Sequence, residues 1–177
     1  MSDSPKPPSG TTPGSEPPGD EGAAPAVSVD MLEVVRQFTL YVPFNHHLGI
    51  EVVSVEAGVC RLRLPYRPEH IGDPIRPALH GGVIAAVIDA CGGAAAWTLL
   101  KPTERVSTID LRVDYLRPGR PEALMFEARV SRRGRHVAVV SIRAWHSDKP
   151  DSLIAEGKGV YSVRDLGKSL PGLRPET

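Results

Sequence analysis

The sequence predicts an α+β fold in which one antiparallel sheet packs around one long apolar helix. The helix prediction rests on residues 81–100, where Asp89 is the only charged residue. The sheet prediction rests on the segments that follow, where apolar and polar residues alternate with the period of two that strands with one buried face show. Short breaks with turn-forming residues separate these segments, which favours antiparallel hairpins.

The other elements follow from local patterns. A short helix is predicted over 30–41, because its apolar residues have helical spacing and Pro43 stops it. Residues 65–79 hold four prolines and are predicted to form a loop. Strands are predicted at 50–54, 59–64, 109–115, 124–130, 136–145 and 153–163.

The chain of 177 residues suits a single folded domain. Residues 1–26 are rich in Pro, Gly, Ser and acidic residues and hold almost no large apolar side chains. Such a segment cannot bury enough surface to offset its ordering entropy, so it is predicted to be a disordered tail. The domain is predicted over 27–165, followed by a flexible C-terminal tail over 166–177.

Charge and cysteine content narrow the class of protein. The formal net charge is +0, which gives no support for a nucleic-acid or membrane-surface binder. The start has no basic segment followed by an apolar run, so no signal peptide is expected. Cys60 and Cys91 are interpreted as buried thiols, and the cytoplasm is the expected compartment. The histidines and cysteines show no metal-ligand spacing, so no metal is expected.

The predicted long helix has about the length that is needed to span a membrane. A central Asp would cost about 2.5–3.5 kcal/mol on insertion scales. Glycines occur near both its start and its middle, and strand patterns follow it closely. It is therefore predicted to be a helix buried inside a protein core.

On a helical wheel this helix has one bulky face and one face of small residues. The bulky face holds Val83, Ile84, Val87, Ile88 and Cys91. The small face holds Gly82, Ala85, Ala86, Asp89, Gly92, Gly93 and Ala96. The bulky face is predicted to contact the sheet. The small face lacks the Lys and Glu of a solvated helix, so it is predicted to pack against a second copy in a two-fold dimer.

Asp89 lies in the middle of the small face, where a carboxylate is costly unless it is paired or hydrogen-bonded. Two interpretations are open. The carboxylate either hydrogen-bonds a neighbouring loop, or it is a partly desolvated base or nucleophile.

The start of the helix, His80-Gly81-Gly82, is a candidate site for a polarised carbonyl. The first N–H groups of a helix lack partners and carry partial positive charge, and glycines let a ligand approach them. Asp89 lies about 12 Å further along the helix, too far for both to touch one carbonyl. Two helices that meet across a dimer would bring the start of one to Asp89 of the other.

Over residues 40–163 the sequence resembles the phenylacetic-acid-degradation (PaaI) type of thioesterase in the hotdog superfamily. The resemblance rests on an ordered set of motifs with matching spacing. These are HHLGI at 46–50, LHGGVIAA at 79–86 followed by Asp89, STIDL at 107–111, YLRP at 115–118 and RGR at 133–135.

This resemblance implies a hotdog fold, in which a five- to six-stranded antiparallel sheet wraps the long central helix. It implies dimers that often pair into tetramers. It also implies hydrolysis of acyl-CoA, or of a similar acyl-carrier thioester, at the dimer interface. No metal or other cofactor is implied, and CoA enters only as part of the substrate.

The resemblance also implies roles for individual residues. Asp89 would act as general base or nucleophile, and the Gly81 N–H would bind the thioester oxygen. His80 would help to hold the thioester end of the substrate. Thr108 would orient the attacking water, with Ser107 as the alternative.

Further substrate-binding residues are expected around these positions. Gly82 adjoins the amide that would meet the thioester. Asp73 stands near the place where many members carry Asn or Gln, but an ionised Asp cannot donate a hydrogen bond, and shaping its turn is the alternative role. Arg133, Gly134 and Arg135 surround a hairpin turn at which basic residues often meet CoA phosphates in this family. A solvated cluster is the alternative.

Two rival functions are compatible with a hotdog fold. A non-catalytic module would bind acyl-CoA without releasing a thiol. A hydratase or dehydratase would use a His with an acidic residue in other motifs, which this sequence does not show.

Overall fold

The computed structural model describes residues 29–168. The predicted tail over 1–26, and all but residues 166–168 of the predicted C-terminal tail, lie outside the described residues.

One long helix packs on a six-stranded antiparallel sheet, as predicted. The helices are α1 (Val29–Tyr41), α2 (Pro43–Leu48) and α3 (Gly81–Trp97). The strands are β1 (Glu51–Glu56), β2 (Val59–Leu64), β3 (Ile71–Asp73), β4 (Ala78–Leu79), β5 (Glu104–Tyr115), β6 (Leu124–Arg133), β7 (Val137–His146) and β8 (Leu153–Asp165). The order in the large sheet is β1-β2-β6-β7-β8-β5, so β1 and β5 form its edges.

The loop prediction over 65–79 was wrong in part. This segment contains a short 3₁₀ helix (Pro68–His70) and the two-stranded sheet β3–β4. Strands of two or three residues are too short to show a period of two, so sequence patterns miss them.

Two further elements differ from the prediction. Helix α2 was not predicted; Pro43 occupies its first turn, where a missing N–H costs nothing, and Gly49 ends it in a left-handed conformation with φ 71°. Strand β5 begins at Glu104, before the predicted 109–115, and contains a bulge between Thr108 and Asp110. This bulge shifts the alternation, so the pattern that identified 109–115 does not continue into residues 104–108.

Helix α3 buries its bulky face against the sheet, as its wheel predicts. Ile84, Val87, Ile88 and Cys91 are buried in the core, and Val83 packs against it half-buried. Both cysteines of the chain are buried free thiols. In the described part of the chain, no helix is long and apolar enough to cross a membrane.

The predicted small face is narrower than expected. Gly92 and Ala96 are buried rather than free for a partner. At Gly92 the reason is Tyr161 of β8, whose phenol ring fills the space beside this glycine. The sheet therefore curls around more of the helix than one face. The members of the predicted small face that stay half-buried or exposed are Gly82, Ala85, Ala86, Asp89 and Gly93.

On the opposite face of the sheet from α3, Glu127 of β6 accepts hydrogen bonds from three arginines. Arg61, Arg129 and Arg143 lie 2.7, 2.8 and 2.9 Å from its carboxylate oxygens. The Glu127 side chain is only 6% exposed. Burial by itself would raise the pKa of this carboxyl group, but the three guanidinium groups together lower it to about 2.

We expect Glu127 to make the free energy of unfolding depend on pH in the acidic range. The pKa of Glu127 is lower in the folded than in the unfolded chain. Its contribution to the free energy of unfolding is therefore fully present above pH 4.5, the ordinary pKa, and is lost as the pH falls towards 2. The loss should amount to about 3 kcal/mol. Urea unfolding between pH 2.5 and 7 should show the wild type and Glu127→Gln converging as the pH falls.

The matched control is Glu51→Gln, because Glu51 pairs with a single arginine and its side chain is 54% exposed. Its stability difference from the wild type should be small across the same range. A pH-independent difference between the wild type and Glu127→Gln would contradict the assignment.

Candidate active site

The structure brings Asp89 and Thr108 together. The Thr108 hydroxyl on β5 donates to a carboxylate oxygen of Asp89 on α3, at 2.9 Å. The carboxylate is half-buried. Ser107, the alternative hydroxyl, shows no such bond; its backbone carbonyl accepts from Ser162 at 3.2 Å. Of the two hydroxyls, Thr108 is therefore the one within reach of the carboxylate.

Tyr161 holds the backbone at the same position. Its phenol donates to the carbonyl oxygen of Asp89 at 3.2 Å, and the residue is fully buried. Burial, and then the negative charge of Asp89, raise the pKa of Tyr161, so it remains a donor at neutral pH. Sequence reasoning missed this residue, since an aromatic side chain inside a predicted strand carries no functional signal.

His80 caps the start of α3. Its Nδ1 atom accepts a hydrogen bond from the Gly82 N–H at 2.9 Å, so the neutral ring carries its proton on Nε2. Its backbone carbonyl accepts from Val83 at 3.0 Å. This gives His80 a role in ordering the helix start that requires no substrate.

The Gly81 N–H differs from the next N–H groups of α3 in lacking a hydrogen-bond acceptor among the described residues. Within residues 29–168, no acceptor takes a hydrogen bond from it. The Gly81 carbonyl, by contrast, accepts from the Tyr115 hydroxyl at 2.7 Å. A free N–H at a helix start is suited to stabilise negative charge on an oxygen. The sequence marked Tyr115 as part of a motif but gave it no role.

A cavity of about 480 Å³ opens beside Asp89 and Thr108, between the α1–α2 segment, α3 and β5. Its α3 wall is made of small residues followed by one large aromatic. These are Ala86, Ala90, Gly93, Ala94 and Trp97. Val42, Phe44 and Val106 add apolar surface from the other walls. The size and lining suit the apolar part of a small-molecule ligand.

Most polar side chains in this cavity are already bonded to the protein, whereas the hydroxyl of Ser107, which also lines it, makes no hydrogen bond within the described residues. Thr39 donates to the Val35 carbonyl at 2.7 Å, and Asn45 donates to the Thr39 carbonyl at 2.8 Å. Arg105 donates to the carbonyls of Pro102 and Glu104. Apart from Asp89, Ser107 and Thr108, the cavity therefore presents mainly hydrocarbon to a ligand.

Of the other predicted substrate-binding residues, Ser107 lines this cavity, and the rest lie outside it: Gly82, Asp73, Arg133, Gly134 and Arg135. Asp73 accepts from the N–H groups of Ile75 and Arg76, both at 3.0 Å, and these bonds lower its pKa, the Arg76 bond most. It therefore shapes its own turn, which is the alternative role given above.

The predicted CoA-binding residues at the turn between β6 and β7 are Arg133, Gly134 and Arg135, and part of this cluster bonds within the chain. Arg133 forms an ion pair with Glu104 at 3.0 Å and also donates to the Gly134 carbonyl. Arg135 is exposed. Among the residues that the structure describes, no group of His, Cys, Asp and Glu side chains has the arrangement of a metal site.

Comparison with known proteins decides the family. The thioesterase superfamily profile matches residues 77–152. The medium/long-chain acyl-CoA thioesterase YigI of Escherichia coli is 32% identical over 143 residues, which cover 73% of this chain and 91% of the relative. The chain belongs to the thioesterase superfamily.

Two more relatives agree with this assignment. A putative esterase of Halobacterium salinarum is 38% identical over 123 residues, covering 66% of this chain and 81% of that protein. The crystal structure of a Haemophilus influenzae thioesterase has 25% sequence identity and a TM-score of 0.68, covering 77% of this chain and 92% of that one. Membership in the thioesterase superfamily confirms the hotdog fold and makes the chain a thioester hydrolase.

Proposed function

We propose that this thioesterase is of the PaaI type and hydrolyses acyl-CoA, or an acyl-carrier thioester, to the free acid and a thiol. The observation that carries the proposal is the Asp89–Thr108 pair at the edge of an apolar cavity. The name of the Escherichia coli relative, a medium/long-chain acyl-CoA thioesterase, supports the choice of substrate.

Asp89 supplies the base or the nucleophile. As a base it takes a proton from water while the water oxygen attacks the thioester carbon. As a nucleophile it forms a mixed anhydride that water then opens. In both routes the C–S bond breaks, and the leaving thiolate takes up a proton. Thr108 holds one carboxylate oxygen and so fixes the direction in which the other faces.

A second copy of the chain completes the site. The Gly81 N–H and Asp89 of one helix are about 12 Å apart along its axis, too far to act on one carbonyl. Strand β5 is an edge of the sheet and exposes Ile109 and Tyr115, which are 59% and 52% accessible. A long edge strand with exposed apolar side chains favours pairing with another strand, and a two-fold dimer is the simplest closed form.

Charging the β5 edge should break this dimer. Ile109 is exposed at a bulge of the edge strand β5. Ile109→Lys should give monomers, because a lysine would bring its charge into an apolar contact. Loss of the dimer should lower thiol release at least tenfold. Sedimentation and a thiol-release assay measure the two effects.

The matched control is Val53→Lys, because Val53 is 51% exposed and lies at the bulge of the opposite edge strand. It should keep both the assembly state and the activity. A fully active Ile109→Lys monomer would contradict the shared site.

Replacing the carboxylate tests the chemistry directly. Asp89→Asn should lower kcat at least a hundredfold, because an amide is neither a base nor a nucleophile here. Its circular dichroism and assembly state should match the wild type. Asp151→Asn, in an exposed turn, is the control and should keep full activity. Near-normal turnover by Asp89→Asn would refute the assignment.

The apolar cavity is the proposed site of the acyl chain. From Asp89 to Trp97 the helix rises about 12 Å. A C–C bond of about 1.5 Å advances an extended chain by about 1.3 Å per carbon, so about nine carbons fit along this wall. Most polar groups of the cavity are bonded to the protein, which favours an unsubstituted hydrocarbon chain over a hydroxylated one.

Filling the cavity at Gly93 should shorten the acyl chains that the enzyme accepts. A Cβ at Gly93 meets only a Tyr161 ring carbon, at 3.7 Å, so a side chain there projects into the cavity without a clash. Gly93→Leu should lower kcat/KM for decanoyl-CoA at least tenfold and leave propionyl-CoA within twofold.

Gly93→Ala is the graded control and should lie between the wild type and Gly93→Leu. Its melting temperature should equal or exceed that of the wild type, because Ala favours a helix over Gly by about 1 kcal/mol. If both variants ranked acyl-CoAs of different chain length by kcat/KM as the wild type does, the cavity would not be the acyl-binding site.

A further inference from the structure

We propose that Tyr115 is a positioning residue for the reaction, because its hydroxyl holds the first turn of α3 so that the Gly81 N–H faces the thioester oxygen. This inference rests on the proposed function. It assigns a role to the one tyrosine of the YLRP motif, which lies outside the acyl cavity.

The two peptide groups that meet at the Gly81 Cα atom are fixed by hydrogen bonds, and the first of them carries the Gly81 N–H. On the N-terminal side, the His80 carbonyl accepts from Val83 at 3.0 Å. On the C-terminal side, the Gly82 N–H donates to His80 Nδ1 at 2.9 Å, and the Gly81 carbonyl accepts from Tyr115 at 2.7 Å. A rotation that turned the Gly81 N–H away would break at least one of these bonds.

Two consecutive glycines need such outside support. Gly81 and Gly82 have no side chains to restrict them, and helix ends fray. The Tyr115 ring lies directly on the Gly81 backbone, since a Cβ at Gly81 would lie 3.2 Å from its Cζ atom and 3.3 Å from its hydroxyl oxygen. The ring therefore occupies the space that a side chain at this position would have used.

Tyr115 is itself held in place by the sheet. Tyr115 ends β5, where it pairs with Ala155 of β8, and the next residue, Leu116, donates its N–H to the Ile154 carbonyl at 2.9 Å. Tyr161 on β8 makes the equivalent contact with the carbonyl of Asp89. Two neighbouring strands thus each place a tyrosine hydroxyl on the backbone carbonyl of a residue proposed to act on the substrate.

Tyr115→Phe removes the hydroxyl and keeps the ring. We expect kcat for decanoyl-CoA to fall about tenfold, which corresponds to about one hydrogen bond. KM should stay within twofold of the wild type, and so should the Kd for S-decyl-CoA, a thioether without the reacting carbonyl. The melting temperature should also stay close to that of the wild type. A loss in kcat alone indicates an effect on the transition state.

Tyr66→Phe is the matched control, because Tyr66 is also a partly exposed tyrosine but lies outside both the acyl cavity and the start of α3. It should keep wild-type kcat, KM and melting temperature.

Three outcomes would overturn the inference or its basis. A full kcat in Tyr115→Phe, with an active wild type, would overturn the positioning role and leave the proposed function standing. Parallel losses in kcat, thioether affinity and melting temperature would also overturn it, since they indicate a general structural role. A wild type that releases no thiol from any acyl-CoA would remove the proposed function itself.

Discussion

The close approach of β8 to α3 is the contact on which the rest of the structure depends. Among the described residues Tyr161 is the largest fully buried side chain, and it fits between strand and helix because Gly92 and Gly159 leave room for its ring. Its hydroxyl then reaches the Asp89 carbonyl. The contact that closes the core therefore also fixes how far Asp89 stands from the sheet, so that packing and site geometry are set together.

The edge strand β5 follows from the same arrangement. It places Thr108 on the Asp89 carboxylate, and at its end it places Tyr115 on the Gly81 carbonyl. The bulge after Thr108 shifts the register within the strand. One strand thus contacts α3 at both positions of the proposed chemistry, while its outer edge pairs with no other strand among the described residues.

Much of this arrangement could be predicted from the sequence, because it depends on local periodicity. The long apolar helix, the six antiparallel strands and the bulky face of α3 all follow from spacing along the chain. The order of motifs indicated a thioesterase of the hotdog superfamily, and that resemblance pointed to Thr108, with Ser107 as the alternative. The predictions for 65–79 and for Gly92 were wrong because strands of two residues have no period and because a wheel does not show how far a sheet curls.

The sequence by itself determined that one carboxylate would lie in the middle of an apolar helix whose start is a pair of glycines. Helical spacing is a local property, so no distant residue was needed to see it. Only the tertiary structure decided which hydroxyls meet that helix. Tyr115 and Tyr161 lie 34 and 72 residues from the carbonyls they bind. Contacts over such separations depend on strand register and sheet curvature, which are properties of the whole packed chain.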